Sequence, residues 1–290
     1  MKEVMASGLL VPEGPALFTE GIVTFTEQMR GAISRFNGTQ VETVAITGGA
    51  PNAAVLGSDG FLYVCQNGGV VASWRSPEQR TPGIQRVSAD GSVETLATSV
   101  AGRVCVTPND LAFGADGRLY FTDPAQPFDN RMKLDTGRIC ALDSTPDSPG
   151  EEVLHVGPVY CNGIGFDQAG RLIWVESYTR CVCTLDENGG RTVLCRLPEG
   201  HIPDGFAVAE DGRIFIATCG SHGISVVDSE GNYLGLIYLD ESADPTNCCF
   251  DGSALWITDF GMDFESQPDS GRLWRIDTDA VGAEIHYGVI

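Results

Sequence analysis

The sequence predicts an all-β protein, a six-bladed β-propeller with four antiparallel strands in each blade. One hairpin-like unit recurs six times along the 290 residues, and two further strand-like runs follow each copy. The 36 glycines and 15 prolines are scattered along the chain, as expected for many turns. Four strands repeated every 40 to 50 residues or so are typical of propeller blades.

Each copy of the unit consists of two runs with alternating apolar residues on either side of a glycine turn, the pattern of a β-hairpin. In chain order the copies are PEGPALFTEGIVTFTE from Pro12, PNAAVLGSDGFLYVCQ from Pro51, PNDLAFGADGRLYFTD from Pro108, CNGIGFDQAGRLIWVE from Cys161, PDGFAVAEDGRIFIAT from Pro203 and the shorter TNCCFDGSALWITD from Thr246. Their second positions are 39, 57, 53, 42 and 43 residues apart. A sandwich or two small β domains would not explain this recurrence.

The third and fourth strands of the blades follow the hairpins. GRICALD and CVCTLD are examples of the third strand, and SVETLA and RTVLCRL are examples of the fourth. Six such blades use residues 1–290, so we expect a single domain. Two segments compete for the outer strand of the last blade, KEVMASGL near the start and AEIHYGVI at the end, and either would cover an exposed sheet edge.

Charge and composition narrow the class of partner. The chain carries 18 basic and 39 acidic side chains, a formal charge of −21, which disfavours binding to nucleic acid or to an anionic membrane. No apolar stretch has the length of a membrane span, and the first residues lack the apolar run of a signal peptide. We therefore expect a cytoplasmic protein that acts on a small molecule. The ten cysteines contain no CxxC pair and are expected to be reduced and mostly buried.

The second position of the repeat carries the strongest functional signal. The first strand of each propeller blade lies nearest the axis, so equivalent positions meet at one height around the channel. The six second-position residues are Glu13, Asn52, Asn109, Asn162, Asp204 and Asn247. Turn capping explains one or two such residues, but it does not explain two carboxylates among four amides. Buried carboxylates repel one another unless a cation neutralises them, and an all-oxygen ligand set suits a hard cation such as Ca²⁺.

Loops at the same end of the channel should contact the substrate. These loops include the tract 67–83 with Trp74, and the segments 123–131 and 259–263. His222 is the histidine expected to face the pocket. The predicted substrate-binding residues are Asn52, Asn67, Arg103, Tyr160, Tyr178, His222 and Asn247.

Four of these segments resemble, in order, segments of the senescence marker protein, gluconolactonase and luciferin-regenerating enzyme family. They are PEGPALFTEGIVTFTEQMRGAISRF, TPNDLAFGADGRLYFTDP, CNGIGFDQAGRLIWVES and PDGFAVAEDGRIFIAT. The family consists of six-bladed propellers that hold a divalent metal, usually Ca²⁺, on the axis. The resemblance therefore implies the fold and the cation together.

When the family's metal ligands are carried over by matching motif, the resemblance implies that Glu13, Asn162 and Asp204 bind the metal. Asn109 would complete the coordination or hold substrate and water. Asp204 and Asn109 are the predicted catalytic residues of a lactonase, with metal-assisted attack of water and Asp204 accepting the proton. Glu20 is not the first ligand, because it occupies the turn position of the repeat.

One departure and several alternatives bear on the substrate. Many sugar lactonases carry Cys-Glu-His in the second blade, whereas this chain has Cys65-Gln66-Asn67, which weakens the case for an aldonolactone. A phosphotriesterase and a noncatalytic propeller stabilised by calcium are the alternative functions. Zn²⁺, Mn²⁺ and Mg²⁺ stay open beside Ca²⁺, and the chain is expected to be a monomer or a dimer.

Overall fold

Six four-stranded antiparallel sheets form a propeller in the computed structural model, which describes residues 1–127, 136–145 and 148–290. The first strands of successive blades contact one another in a closed ring. The predicted fold class is thereby confirmed.

Each blade runs from an innermost strand at the axis to an outermost strand at the rim. In that order, blades 1 to 3 are β2 (Pro12–Thr19), β3 (Ile22–Glu27), β4 (Ala32–Phe36) and β5 (Val41–Ile46); β6 (Pro51–Leu56), β7 (Leu62–Gln66), β10 (Gly83–Val87) and β11 (Val93–Ala97); and β14 (Leu111–Phe113), β15 (Leu119–Asp123), β16 (Arg138–Leu142) and β17 (Glu151–His155). Blades 4 to 6 are β18 (Cys161–Phe166), β19 (Leu172–Glu176), β20 (Cys181–Leu185) and β21 (Arg191–Arg196); β22 (Ile202–Val208), β23 (Ile214–Cys219), β24 (Gly223–Val227) and β25 (Tyr233–Tyr238); and β26 (Pro245–Asp251), β27 (Ala254–Asp259), β28 (Gly271–Asp277) and β1 (Lys2–Leu9).

Smaller elements lie between the blade strands. Two short hairpins are β8 (Val70–Val71) with β9 (Trp74–Arg75), and β12 (Ser99–Val100) with β13 (Arg103–Val104). A 3₁₀ turn covers Gln28–Arg30. No helix in the described part of the chain has the length and apolarity needed to cross a bilayer.

The N-terminal segment closes the ring. Strand β1 pairs antiparallel with β28, with Lys2 opposite Ile276 and Leu9 opposite Gly271. Of the two candidate segments, KEVMASGL is therefore the outer strand of blade 6. The competing segment, residues 283–290, forms no strand.

Residues 283–290 instead cross the turns between the first and second strands, at the end of the propeller away from the ring of second-position residues. The Ala283 N–H donates to the Val208 carbonyl at 2.9 Å, and the Ser58 N–H donates to the Gly288 carbonyl at 2.9 Å. Gly288 lies against Phe113, where an added Cβ would come within 2.5 Å of the ring. The tail thus joins the turns of several blades.

Apolar side chains of adjoining blades form the core between the sheets. Between blades 5 and 6, Phe215, Phe250 and Trp274 pack in one buried cluster, with the Phe215 and Phe250 rings edge to face at 5.2 Å. Full burial of such a side chain stabilises the fold by about 1.5–3 kcal/mol. These clusters fix the angle of each blade and therefore the position of its first strand.

A polar side chain at the end of the second strand anchors the loop that enters the first strand. Glu27 accepts from the Leu10 N–H, Gln66 from the Ala50 N–H, and Asp123 from the Thr107 N–H. In blade 6, Asp259 accepts from the Asp244 N–H at 2.8 Å. The buried ion pair of Asp123 with Arg138, at 3.1 Å, holds one of these anchors in place. The loops around the channel mouth are thereby tied to the sheets.

Candidate active site

The six second-position side chains meet at the axis, as the repeat predicted. Five of them are buried and Asp204 is half-buried. Glu13, Asn52, Asn109, Asn162 and Asp204 line a cavity of about 840 Å³ at this end of the channel. Asn247 lies beside them, and its Nδ2 donates to Glu13 Oε2 at 3.2 Å.

Irregularities in the first strands accompany this convergence. In β2, β18 and β22 the pairing register shifts between Glu13 and Ala16, between Cys161 and Ile164, and between Pro203 and Phe206. A bulge turns side chains away from the regular alternation of a strand. Each shift therefore falls on the residue that the strand contributes to the ring.

Small residues at the third position let the first strands approach closely. A Cβ on Gly205 would lie 1.9 Å from Asn247 Cγ, and one on Gly163 would lie 2.3 Å from the Asp204 carbonyl oxygen. Larger side chains at these positions would push the blades apart. The glycines therefore set the narrow diameter of the ring.

The ring carries more negative charge than its surroundings can neutralise. Burial, reinforced by the charges of Asp204 and Asp110, holds the pKa of Glu13 well above its usual range. Burial and the charge of Asp110 likewise raise the pKa of Asp204. The H-bonds from the Gly14 N–H and from Asn247 to Glu13 act in the opposite direction but do not overcome burial. This is the electrostatic setting in which a cation is stabilising.

Asp110 is a third carboxylate at the ring, it is buried, and it was not predicted from the sequence. Its Oδ1 accepts from the Leu111 N–H at 2.8 Å, and its Oδ2 lies 3.4 Å from Asn247 Nδ2. Burial raises the pKa of Asp110 to about 7. A signal was present in the repeat, because the third position is small in the other five copies, namely Gly14, Ala53, Gly163, Gly205 and Cys248.

Two of the ring amides, Asn109 and Asn162, have donors that are engaged and oxygens that are not. Asn109 Nδ2 lies 3.5 Å from Tyr160 Oη, and Asn162 Nδ2 donates to Ser177 Oγ at 3.1 Å. Asn109 Oδ1 and Asn162 Oδ1 are buried without a hydrogen-bond partner. A buried acceptor without a partner costs about 1–3 kcal/mol. Two such oxygens beside two carboxylates suit a hard cation.

The described residues contain no group of three His, Cys, Asp or Glu side chains arranged to hold a metal ion. The ring supplies amide oxygens in place of further carboxylates, so its ligand set is mixed. The residues present fit Ca²⁺, which accepts amide oxygens.

Five of the seven predicted substrate-binding residues lie at the cavity or next to it. Asn52, Asn67 and Tyr160 line the cavity, and the ring of Tyr178 packs against that of Tyr160 at 5.5 Å. Asn247 lies in the ring itself.

The structure corrects the prediction for the other two, Arg103 and His222, because neither residue lines the cavity. Arg103 belongs to the β12–β13 hairpin, and its side chain forms an ion pair with Glu152 on blade 3 at 2.5 Å. His222 has a left-handed backbone (φ 61°), and its Nδ1 lies 2.7 Å from the Ala243 carbonyl oxygen. Both side chains are thus bonded to partners outside the cavity lining.

The loop segments contribute unequally to the cavity. From the tract 67–83, Asn67, residues 70–73 and Arg75 line the cavity but Trp74 does not, and from the last loop of blade 6 residues 260 and 262–265 line it. Pro127 lines it from the segment 123–131, whereas residues 128–131 lie outside the described residues. Ser177 and Cys219 also line the cavity, and of these two Cys219 was not predicted. Cys219 Sγ lies 3.8 Å from Asp204 Oδ2.

Fold and site together define a class: six-bladed propellers with a ring of carboxylates and amides at the base of an axial cavity. Residues 11–259 match the SMP-30/Gluconolactonase/LRE-like region, and the chain belongs to this family. The resemblance inferred from the repeat segments is therefore confirmed.

Individual relatives agree with the family. A gluconolactonase of Zymomonas mobilis is 27% identical over 240 residues, which are 71% of this chain and 60% of that protein. The chain thus spans less than two thirds of the length of this curated relative. A gluconolactonase structure from Xanthomonas campestris superposes with a TM-score of 0.74 at 23% identity, covering 95% of this chain and 89% of the other. A calcium-binding protein, regucalcin, from Agrobacterium tumefaciens gives 0.75 at 15% identity, with 99% and 97% covered. These two structures share the fold.

Proposed function

We propose that the protein is a hydrolase that opens a lactone, a cyclic carboxylic ester, with the help of a divalent cation. The observation that carries this proposal is the buried ring, in which Glu13 and Asp204 lie beside the unpartnered oxygens of Asn109 and Asn162 at the base of an open cavity. Family membership and the gluconolactonase relative support the choice of a lactone.

Glu13, Asn109, Asn162 and Asp204 would hold the cation. Ca²⁺ is the first choice because all four donors are oxygens, and Zn²⁺, Mn²⁺ and Mg²⁺ are alternatives. When bound, the cation would supply positive charge beside the ester carbonyl and stabilise the negative charge that develops there. The relative described as a calcium-binding protein supports this choice.

Glu13 and Asp204 are expected to have different roles in the reaction. Glu13 is buried and accepts hydrogen bonds from the Gly14 N–H and Asn247, so its carboxyl group is held in a fixed position. Asp204 is half-buried at the cavity wall. It is therefore the carboxylate placed to take a proton from water in the cavity.

Asn109 and Ser177 position these groups. The contact of Asn109 Nδ2 with Tyr160 Oη fixes the amide and leaves Oδ1 for the cation or for water. Ser177 Oγ accepts from Asn162 and donates to the Pro203 carbonyl at 2.8 Å, which couples the blade 4 ligand to the strand that carries Asp204. Fixed geometry of this kind lowers the cost of orienting reactants.

The test compares hydrolysis of a lactone panel by chelated and Ca²⁺-restored protein. We expect Asp204→Asn to lower kcat by about 10²-fold or more, the range for a lost proton acceptor, with an unchanged circular dichroism spectrum. Asp211→Asn, in the exposed turn of the same blade, is the matched control.

Two results would overturn the proposal. The first is equal turnover by chelated and restored protein. The second is a rise in Tm with Ca²⁺ without turnover of any lactone; at a hundredfold excess over Kd, bound Ca²⁺ adds about 2.7 kcal/mol to the free energy of unfolding. That second result would indicate a noncatalytic binding propeller, whereas turnover of phosphotriesters alone would indicate a phosphotriesterase.

A further inference from the structure

One wall of the cavity is apolar and is built from two distant segments. The hairpin β8–β9 inserts into blade 2, and the loop between β27 and β28 extends from blade 6. Both segments line the same cavity as the ring. We call this wall the apolar clasp, and its side chains are Val70, Val71, Ala72, Phe260, Met262 and Phe264.

Hydrogen bonds join the two halves of the clasp. The backbone N–H and the Oγ of Ser73 both donate to Glu265 Oε1, at 3.0 and 2.7 Å. The Ser76 N–H donates to the Gly69 carbonyl at 2.8 Å and closes the base of the hairpin. Hydrogen bonds within the protein therefore hold the two halves of the clasp in place.

Apolar packing supports the clasp from behind. The rings of Phe260 and Phe264 pack edge to face with centroids 4.7 Å apart. Val71, Trp74 and Met29 belong to the same cluster. Binding of an apolar group to such a preformed apolar surface is favourable, because the group displaces water from it.

Several polar side chains of the walls are hydrogen-bonded to protein partners. Asn67 Oδ1 accepts from the Gly69 and Val70 N–H groups. Thr107 Oγ1 donates to the Gln126 carbonyl at 3.1 Å, and Ser177 Oγ donates to the Pro203 carbonyl. Among the cavity-lining residues that the structure describes, Arg75 is the one cation, and its Nη1 donates to the Ala72 and Trp74 carbonyls.

A polyhydroxylated ring would lose hydrogen bonds to water in such a cavity. Each hydroxyl that is desolvated without a partner costs about 1–3 kcal/mol. The unpartnered oxygens, those of Asn109 and Asn162, lie on the ring residues, where the reacting carbonyl is expected. The apolar clasp thus favours carbon over hydroxyl groups.

We propose that the substrate is a lactone bearing an alkyl or aryl substituent, with the ester at the ring of carboxylates and amides and the substituent against the apolar clasp. This inference rests on the proposed lactonase function. It names the clasp, with Phe264 and Met262 at its rim, as the specificity-determining surface.

Three lactones with the same six-membered ring test the inference: δ-valerolactone, δ-decalactone with its pentyl substituent, and D-glucono-δ-lactone. A buried methylene is worth about 0.8 kcal/mol, or about fourfold. We expect kcat/KM for δ-decalactone to exceed that for the other two by at least about tenfold, since two buried methylenes would suffice.

The variant Phe264→Ser should lower kcat/KM for δ-decalactone by about tenfold while leaving that for δ-valerolactone within about twofold. Leu234→Ser removes an exposed apolar side chain on the outer strand of blade 5 and is the matched control. Preference for D-glucono-δ-lactone, or an equal loss on both substrates in Phe264→Ser, would overturn the inference alone. Turnover of none of the three lactones would instead overturn the proposed function.

Discussion

Replacement of Asp110 by asparagine tests whether the ring is an uncompensated cluster of negative charge. Asp110 is buried, and asparagine has nearly the same shape and keeps an acceptor for the Leu111 N–H. Burial raises the pKa of the Asp110 carboxyl from 3.8 to about 7. In chelator, the folded wild-type protein therefore holds a proton that the unfolded chain releases at much lower pH.

The sign and size of the change in unfolding free energy caused by Asp110→Asn follow from the linkage between proton binding and folding. A raised pKa in the folded state stabilises the fold below the unfolded pKa, and this stability is lost as pH rises through the folded value. The loss reaches about 4 kcal/mol at pH 7 and above, and Asp110→Asn does not incur it. Between pH 5 and pH 8 the variant should gain about 3 kcal/mol in unfolding free energy on the wild type, or about 5 °C in Tm for a chain of this length.

Urea or thermal unfolding of both proteins in chelator at several pH values measures this difference. Asp116→Asn, in the exposed turn of the same blade, is the matched control for the substitution. Restored Ca²⁺ should shrink the variant's advantage at pH 8, because the cation is attracted by the charge that the variant lacks. A difference in unfolding free energy that does not change with pH in chelator would refute the reasoning.

Two further predictions concern the register of the repeat and the C-terminal tail. Glu13→Gln should abolish the rise in Tm caused by Ca²⁺, whereas Glu20→Gln, in an exposed turn, should leave it unchanged; titration of both variants with Ca²⁺ checks this, and equal losses would show that the ring is wrongly assigned. Deletion of residues 283–290 should lower stability by about 3 kcal/mol, since about three hydrogen bonds worth about 1 kcal/mol each are lost. Thermal unfolding measures that loss, and an unchanged Tm would show that the tail contacts contribute nothing.

The repeat alone predicted the six blades and the ring. A propeller places equivalent repeat positions at one height, so Glu13, Asn162 and Asp204 meet although up to 191 residues separate them along the chain. The physical reason is that strand pairing within each blade is local and is repeated six times. Alternation and turn residues were sufficient to find it.

Only the tertiary structure decided which loops reach the cavity. Ser73 and Glu265, 192 residues apart, join the halves of the clasp, while Arg103 and His222 bond to their own surroundings and lie elsewhere. A loop side chain takes its direction from partners that are often far away in sequence, and no periodic pattern encodes them. The same holds for Asp110, whose carboxyl group lies beside Asn247 from a distant blade, and for the outer strand of blade 6, where two segments competed and strand pairing selected one.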